Sequence, residues 1–296
     1  MTMMLAHQRI SPTAKLVAYW RQFTDIPFAE DVANLFDVVH IYTDLLKGPE
    51  DRYFKHEIMA PILEVRYKSI QNALEKRNMK QVLEFASGIS LRGLAMTRDP
   101  ALIYVETDLP GLNEEKLKLI NIIKNRHNIG HRPNLFFYPV NILNFDEIEP
   151  SLQNLDRKRP LAIVHEGLFQ YLTRQEKTVA AKNIHKILEI FGGIWITPDL
   201  DTEKSLHARL FEPKQLEQFV AAIKQHTGRN FHENTFKDDE DVYGFFNELG
   251  FETAHAPQFG DDIVLSSLKG QPMPEDMHEA LASLRLWTLT IKNRSV

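Results

Sequence analysis

The 296-residue sequence predicts an α/β fold, a mostly parallel sheet with helices on both faces, preceded by a helical section and interrupted late by a helical insertion. Three observations predict it. Five short apolar runs, QVLEF, LIYVE, NLFFYPV, LAIVHEG and GIWIT, succeed one another with connecting segments between them, and the last two flank the amphipathic RQEKTVAAKNIHKILEIFG. Ahead of them, apolar residues recur at three- and four-residue spacing. Behind them the alternation stops, and GFETAHAP and DDIVLSSL read as two strands joined through Pro257 and Gly260, an antiparallel hairpin.

In chain order, residues 1–80 hold the helical runs AKLVAYWRQF, AEDVANLFDVVHIYTDLL and APILEVRYKSIQNALEK. The first strand runs into ASGIS, where Ser90 is placed to cap a short helix beginning at Leu91. Residues 199–249 are too many for a simple connection and include EPKQLEQFVAAIKQ, which reads as an inserted helical cap. A single domain follows: 1–80 as a helical lid section, 81–198 with 250–270 as the sheet core, 199–249 as the cap and 271–296 as a C-terminal segment.

A composition of 43% hydrophobic and 25% charged residues suits a globular domain of this length. The net charge of −5 leaves no basic surplus, so nucleic acid is not an expected partner. Without cysteine there is no disulfide, thiol nucleophile or thiolate metal site, which suits a cytoplasmic protein. The start MTMMLAHQRI lacks the basic-then-apolar order of a signal peptide, and no uncharged apolar run approaches the roughly 18 residues that span a bilayer, so no membrane partner is expected. The acidic run Asp238–Asp241 reads as a solvated face. A calcium loop starting at Asp239 puts Gly244 at position six but Tyr243 at five and Gly250 at twelve, where an acid is needed, so no metal is expected.

Chemistry is expected at the carboxyl ends of the strands. VLEFASGISLRGLAM is a strand, a turn of small residues and a helix start; it is either a polar-ligand turn or an ordinary connection. Glu106 and Asp108, two apart at the end of the next strand and some 20 residues beyond Gly88, suit ribose hydroxyls or are merely solvated acids. A dinucleotide needs three glycines around its pyrophosphate, whereas only Gly88 and Gly93 are offered. Glu84 would repel those phosphates. It suits a cationic ligand such as the amine and sulfonium of S-adenosylmethionine, which favours a methyl donor over NAD.

VLEFASGIS, YVETDLP and VHEGLFQYL, in this order and spacing, resemble the leucine carboxyl methyltransferase family of S-adenosylmethionine-dependent enzymes, particularly its bacterial branch similar to tetracenomycin-type polyketide O-methyltransferases. The resemblance covers most of the chain. It implies a seven-stranded class I methyltransferase (Rossmann-like) sheet with an antiparallel last strand, and a helical lid over the substrate. By the same resemblance Glu84, Ala86 and Gly88 hold the methionine portion, Asp108 the ribose, and Arg66 of LEVRYKSI the carboxylate. Ala86 departs from the family's glycine. Asn141 and Ile142 stand where the family has an acid and a leucine against adenine, and Glu166 matches the family motif, with His165 beside it as an extra.

Methyl transfer from a sulfonium is an in-line displacement, so the site must align its reactants and exclude water. A carboxylate acceptor needs no base; a phenol would be helped by one such as His165. Tyr171, with Tyr19, Trp20 and Phe23, is a candidate lining for an apolar acceptor pocket. The expected function is O-methylation of a carboxylate or hydroxyl on a small, polyketide-like molecule. Carboxyl methylation of a protein C-terminus and non-catalytic nucleotide binding stay open, as does oligomeric state.

Overall fold

The computed structural model describes residues 11–35, 56–203 and 234–292, with a few positions between 221 and 229. Helices α1 (Ser11–Arg21), α2 (Ala29–Leu35) and α3 (His56–Lys76) make up the described N-terminal section. Then come β1 (Gln81–Phe85), α4 (Arg92–Met96), β2 (Ile103–Asp108), α5 (Pro110–Arg126), β3 (Leu135–Pro139) and α6 (Phe145–Ile148). After these, β4 (Leu161–His165), α7 (Arg174–Phe191) and β5 (Gly193–Thr197) complete the alternation. The chain ends on α8 (Asp239–Glu248), β6 (Phe251–Pro257), α9 (Glu275–Ser283) and β7 (Arg285–Ile291).

The seven strands form one sheet in the order β3-β2-β1-β4-β5-β7-β6. Strands β1 to β5 are mutually parallel, and β7 runs antiparallel to both β5 and β6. Seven strands with the last one antiparallel is the sheet that the resemblance implies. Strand parity then decides what each face carries. Leu83, Phe85, Ile163 and Trp195 pack with Ile184 and Leu188 of α7, whereas Val82, Tyr104, Ala162 and Val164 pack with Ile70 and Leu74 of α3. Glu84, Glu106 and Asp108 share the parity of the α3 face; His165 shares that of the α7 face.

Helix α7 starts on a capping box, with Thr173 and Glu176 each accepting from the other's backbone N–H, and stops at Gly192. Gly193 then opens β5 at φ +108, where a Cβ would lie 2.0 Å from the Leu161 carbonyl oxygen, so only glycine lets β5 reach β4 there.

The expected hairpin is half right. GFETAHAP is β6, but DDIVLSSL is a loop ending in the 3-10 turn Ser266–Leu268, and the partner of β6 is β7, inside the expected C-terminal segment. Ile263 and Leu265 of that loop are buried against Met59, Ile62 and Leu63 of α3, which accounts for their apolarity without a strand. Buried Glu64 of α3 secures the loop by accepting from the N–H groups of Ser266 and Ser267. Most of the cap expected at 199–249 lies outside the described residues, as does the part of AEDVANLFDVVHIYTDLL beyond Leu35.

Candidate active site

A cavity of about 450 Å³ lies at the carboxyl ends of β1, β2 and β4, walled on its other side by α1 and α3. One wall is apolar, built from Leu16, Trp20, Ile26, Met59, Ile62 and Leu63. The other carries the turn after β1, Asp108, Asn141, Ile142 and Glu166. The cavity therefore has a polar side made by the sheet and an apolar side made by the N-terminal helices.

One N–H of the turn after β1, that of Gly88, goes to an acid of the protein itself, and those of Ser87 and Ser90 go to backbone carbonyls. Gly88, at φ +56, donates its N–H to Asp108 Oδ2 at 2.7 Å, while Leu109 donates to Asp108 Oδ1 at 2.8 Å. Asp108 is buried, which pushes its carboxyl above the ordinary range despite these two donors. Gly93 of α4 donates to Glu106 Oε1 at 2.9 Å, and a Cβ on Gly93 would fall 2.3 Å from that oxygen. Gly93 thus serves the approach of Glu106. Glu106 itself does not line the cavity: it is buried against Lys116, and burial pushes its carboxyl up to about 7. Ala86 has φ +50, so the turn keeps a left-handed conformation at the position where the resemblance expects glycine, at a strain of about 1–2 kcal/mol. Helix α4 begins without a side-chain cap; its N-cap is Leu91, and Ser90 Oγ is buried without a partner, contrary to the expected cap.

Glu84 lines the cavity, yet its carboxylate is engaged. Tyr104 donates its hydroxyl to Glu84 Oε2 at 2.8 Å, and Arg92 Nε lies 3.6 Å from Oε1. Glu166 stands among three guanidiniums: Arg21 Nη2 at 2.5 Å, Arg92 Nη2 at 3.2 Å and Arg66 Nε at 3.5 Å. Burial alone would raise its carboxyl, but Arg21, Arg66 and Arg92 together outweigh that and hold it below the ordinary range.

Behind this cluster sits Asp199, just past β5. Its Oδ1 accepts from Arg66 Nη2 at 2.5 Å and from the Gly167 N–H at 2.9 Å; its Oδ2 accepts from the Leu168 N–H at 2.8 Å and from His165 Nδ1 at 2.9 Å. Burial opposes its ionisation, but the His165 bond and the Arg66 charge hold it well below the usual carboxylate range. His165 is fully buried, stacks on Phe169 at 4.7 Å and touches Trp195 on the α7 face. It does not line the cavity.

The expected site residues thus divide. Arg66, Glu84, Ala86, Gly88, Asp108, Asn141, Ile142, Glu166 and Tyr171 all line one cavity, and Glu106 and His165 lie behind its walls. Asn141 Oδ1 accepts from the Leu143 N–H at 3.0 Å, so the loop after β3 fixes the side chain's orientation. Of the three helical aromatics, Trp20 lines the cavity, and Tyr19 and Phe23 pack edge-to-face on each other instead. Sequence reasoning missed Arg21, Arg92 and Asp199. A signal for Arg21 exists: Ala14, Val17, Ala18 and Arg21 follow helical spacing and all line the cavity, which places a cation on an otherwise apolar face.

Among the described residues, no helix is long and apolar enough to cross a membrane, and no group of His, Cys, Asp or Glu is arranged to hold a metal ion. No family model matches the chain, and no curated protein matches it. Among solved structures, the chain is similar to a DUF574 family protein from Streptomyces avermitilis, at 12% identity and a TM-score of 0.56 over 95% of this chain and 97% of that one. This shows a shared fold. The methyltransferase domain of bacterial CtHen1 matches at 12% identity and a TM-score of 0.49, covering 77% of this chain and 98% of that one. Human N-acetylserotonin methyltransferase in complex with SAM matches at 8% and 0.43, covering 86% and 62%.

Proposed function

We propose that the chain is a cytoplasmic S-adenosylmethionine-dependent O-methyltransferase acting on a small, apolar, polyketide-like molecule through a carboxylate of that acceptor. The observation that carries this reading is the charge at the cavity wall. The Gly88 N–H is already taken by a carboxylate, and three arginines, Arg21 and Arg66 in the lining and Arg92 behind it, stand against the four lining carboxylates Glu84, Asp108, Glu115 and Glu166. Such a wall attracts a ligand of net positive charge and repels a pyrophosphate. The resemblance to leucine carboxyl methyltransferases supports the same donor.

The residues present fit that donor. Asp108 is buried at the cavity with one N–H on each oxygen, so each oxygen keeps capacity to accept from a ribose hydroxyl. Ile142 offers an apolar face and Asn141 a carboxamide for adenine, and Arg66 a guanidinium for the amino-acid carboxylate. The bound cofactor supplies an electrophilic methyl group on a sulfonium. The chain's own part is alignment and exclusion of water, for which the apolar residues of α1 and α3 stand opposite the polar wall. Among the described residues, no histidine lines the cavity and Glu166 is held ionised by arginines, which favours an acceptor that has no proton to lose. Incubation with methyl-labelled S-adenosylmethionine and a panel of apolar carboxylic acids and phenols tests this. Label in base-labile esters is expected; label only in base-stable ethers would sink the carboxylate assignment, and no transfer at all from a bound donor would favour non-catalytic binding.

A further inference from the structure

We propose that Asp199 is a positioning residue, which holds the Arg66 guanidinium ready for the amino-acid carboxylate of the cofactor; the proposal rests on the methyl-donor reading above. Of the four groups that Asp199 accepts from, three are rigid. The N–H groups of Gly167 and Leu168 belong to the backbone just after β4, and His165 is locked between Phe169 and Trp195. These three over-determine where the carboxylate points. The fourth is Arg66, a long side chain reaching across from α3, bonded at 2.5 Å through Nη2.

Left alone, an arginine beside a cavity samples several rotamers and loses that freedom when it binds a ligand. The bond to Asp199 fixes the guanidinium beforehand, so less ordering remains when a carboxylate arrives. Glu166 does not do this work by itself, since its contact with Arg66 Nε is 3.5 Å and it is shared with Arg21 and Arg92. The arrangement also gives His165 a place in the site without contact to it: its Nδ1 proton is committed to Asp199, while its Nε2 is buried without a partner.

Calorimetry on the full chain tests the proposal with two ligands, S-adenosylhomocysteine and 5′-methylthioadenosine, the second lacking the amino-acid carboxylate. Asp199→Asn should weaken S-adenosylhomocysteine at least tenfold and leave 5′-methylthioadenosine within about twofold. Equal loss for both ligands would mean a general structural role and would overturn the proposal, as would unchanged affinity for S-adenosylhomocysteine. Should Asp199→Asn not fold, Asp199→Asn/Arg66→Gln removes both charges together and is compared with Arg66→Gln alone. Equal affinity for S-adenosylhomocysteine is expected, and a further tenfold loss in the double variant would overturn the proposal. If the wild-type protein binds neither ligand, the methyl-donor reading itself fails.

Discussion

Gly88 and Asp108, 20 residues apart in sequence, are joined by a 2.7 Å hydrogen bond from the glycine N–H to the aspartate carboxylate. A turn shaped like a phosphate cradle is thereby filled by an acid, and its capacity for anions passes to the opposite kind of ligand. Ribose hydroxyls are donors, and a buried carboxylate already oriented by two N–H groups is a strong acceptor for them.

Asp108→Ala should therefore weaken S-adenosylhomocysteine binding by roughly 1.5–3 kcal/mol, the range for hydrogen bonds to a charged group. Titration calorimetry measures it directly. Normal affinity in this variant would remove Asp108 from the ribose site.

Glu106 is predicted to leave a mark on stability, not on cofactor affinity, because it is buried under α4 and away from the cavity. Its folded carboxyl titrates at about 7, above the ordinary carboxylate value, so between about pH 4.5 and 7 the folded state holds a proton that the unfolded state has released. The contribution is fully present below the unfolded value and is lost as pH rises through the folded one. Urea unfolding across this window should show stability falling with rising pH, and Glu106→Gln should flatten that component. An unchanged slope in Glu106→Gln would show that the proton sits elsewhere.

His165 is not placed to act as a base. With a carboxylate acceptor, turnover should stay level from about pH 6 to 9, since such an acid is ionised throughout. His165→Gln should give a profile of the same shape. A limb near pH 6.5 that disappears in the folded variant would restore His165 to the chemistry and point to a phenol.

The parallel core was legible because each strand and crossover is local, and βα alternation is written in consecutive residues. The last pairing was not. DDIVLSSL has the apolar content of a strand but buries Ile263 and Leu265 against α3, while β7 reaches back over α9 to pair with β6. Such a choice depends on tertiary packing that no short window contains. The site divides in the same way: Gly88 and Asp108 belong to neighbouring βα units and could be placed from spacing, whereas Arg21, Arg92 and Asp199 meet Glu166 or Arg66 only once helices from distant parts of the chain pack together. Parity also deceived. Adjacent His165 and Glu166 look like partners in sequence, but strand β4 ends between them, sending the histidine into the α7 face and the glutamate to the cavity.

On the proposed reading the cavity wall prefers a cationic methyl donor to a pyrophosphate. Calorimetric titration of the wild-type protein with S-adenosylmethionine, S-adenosylhomocysteine and NAD under one set of conditions tests it most directly. The first two should bind saturably, and NAD should give no measurable heat at the same concentrations. Comparable or tighter binding of NAD would mean that the wall accepts a pyrophosphate and would overturn the methyl-donor reading.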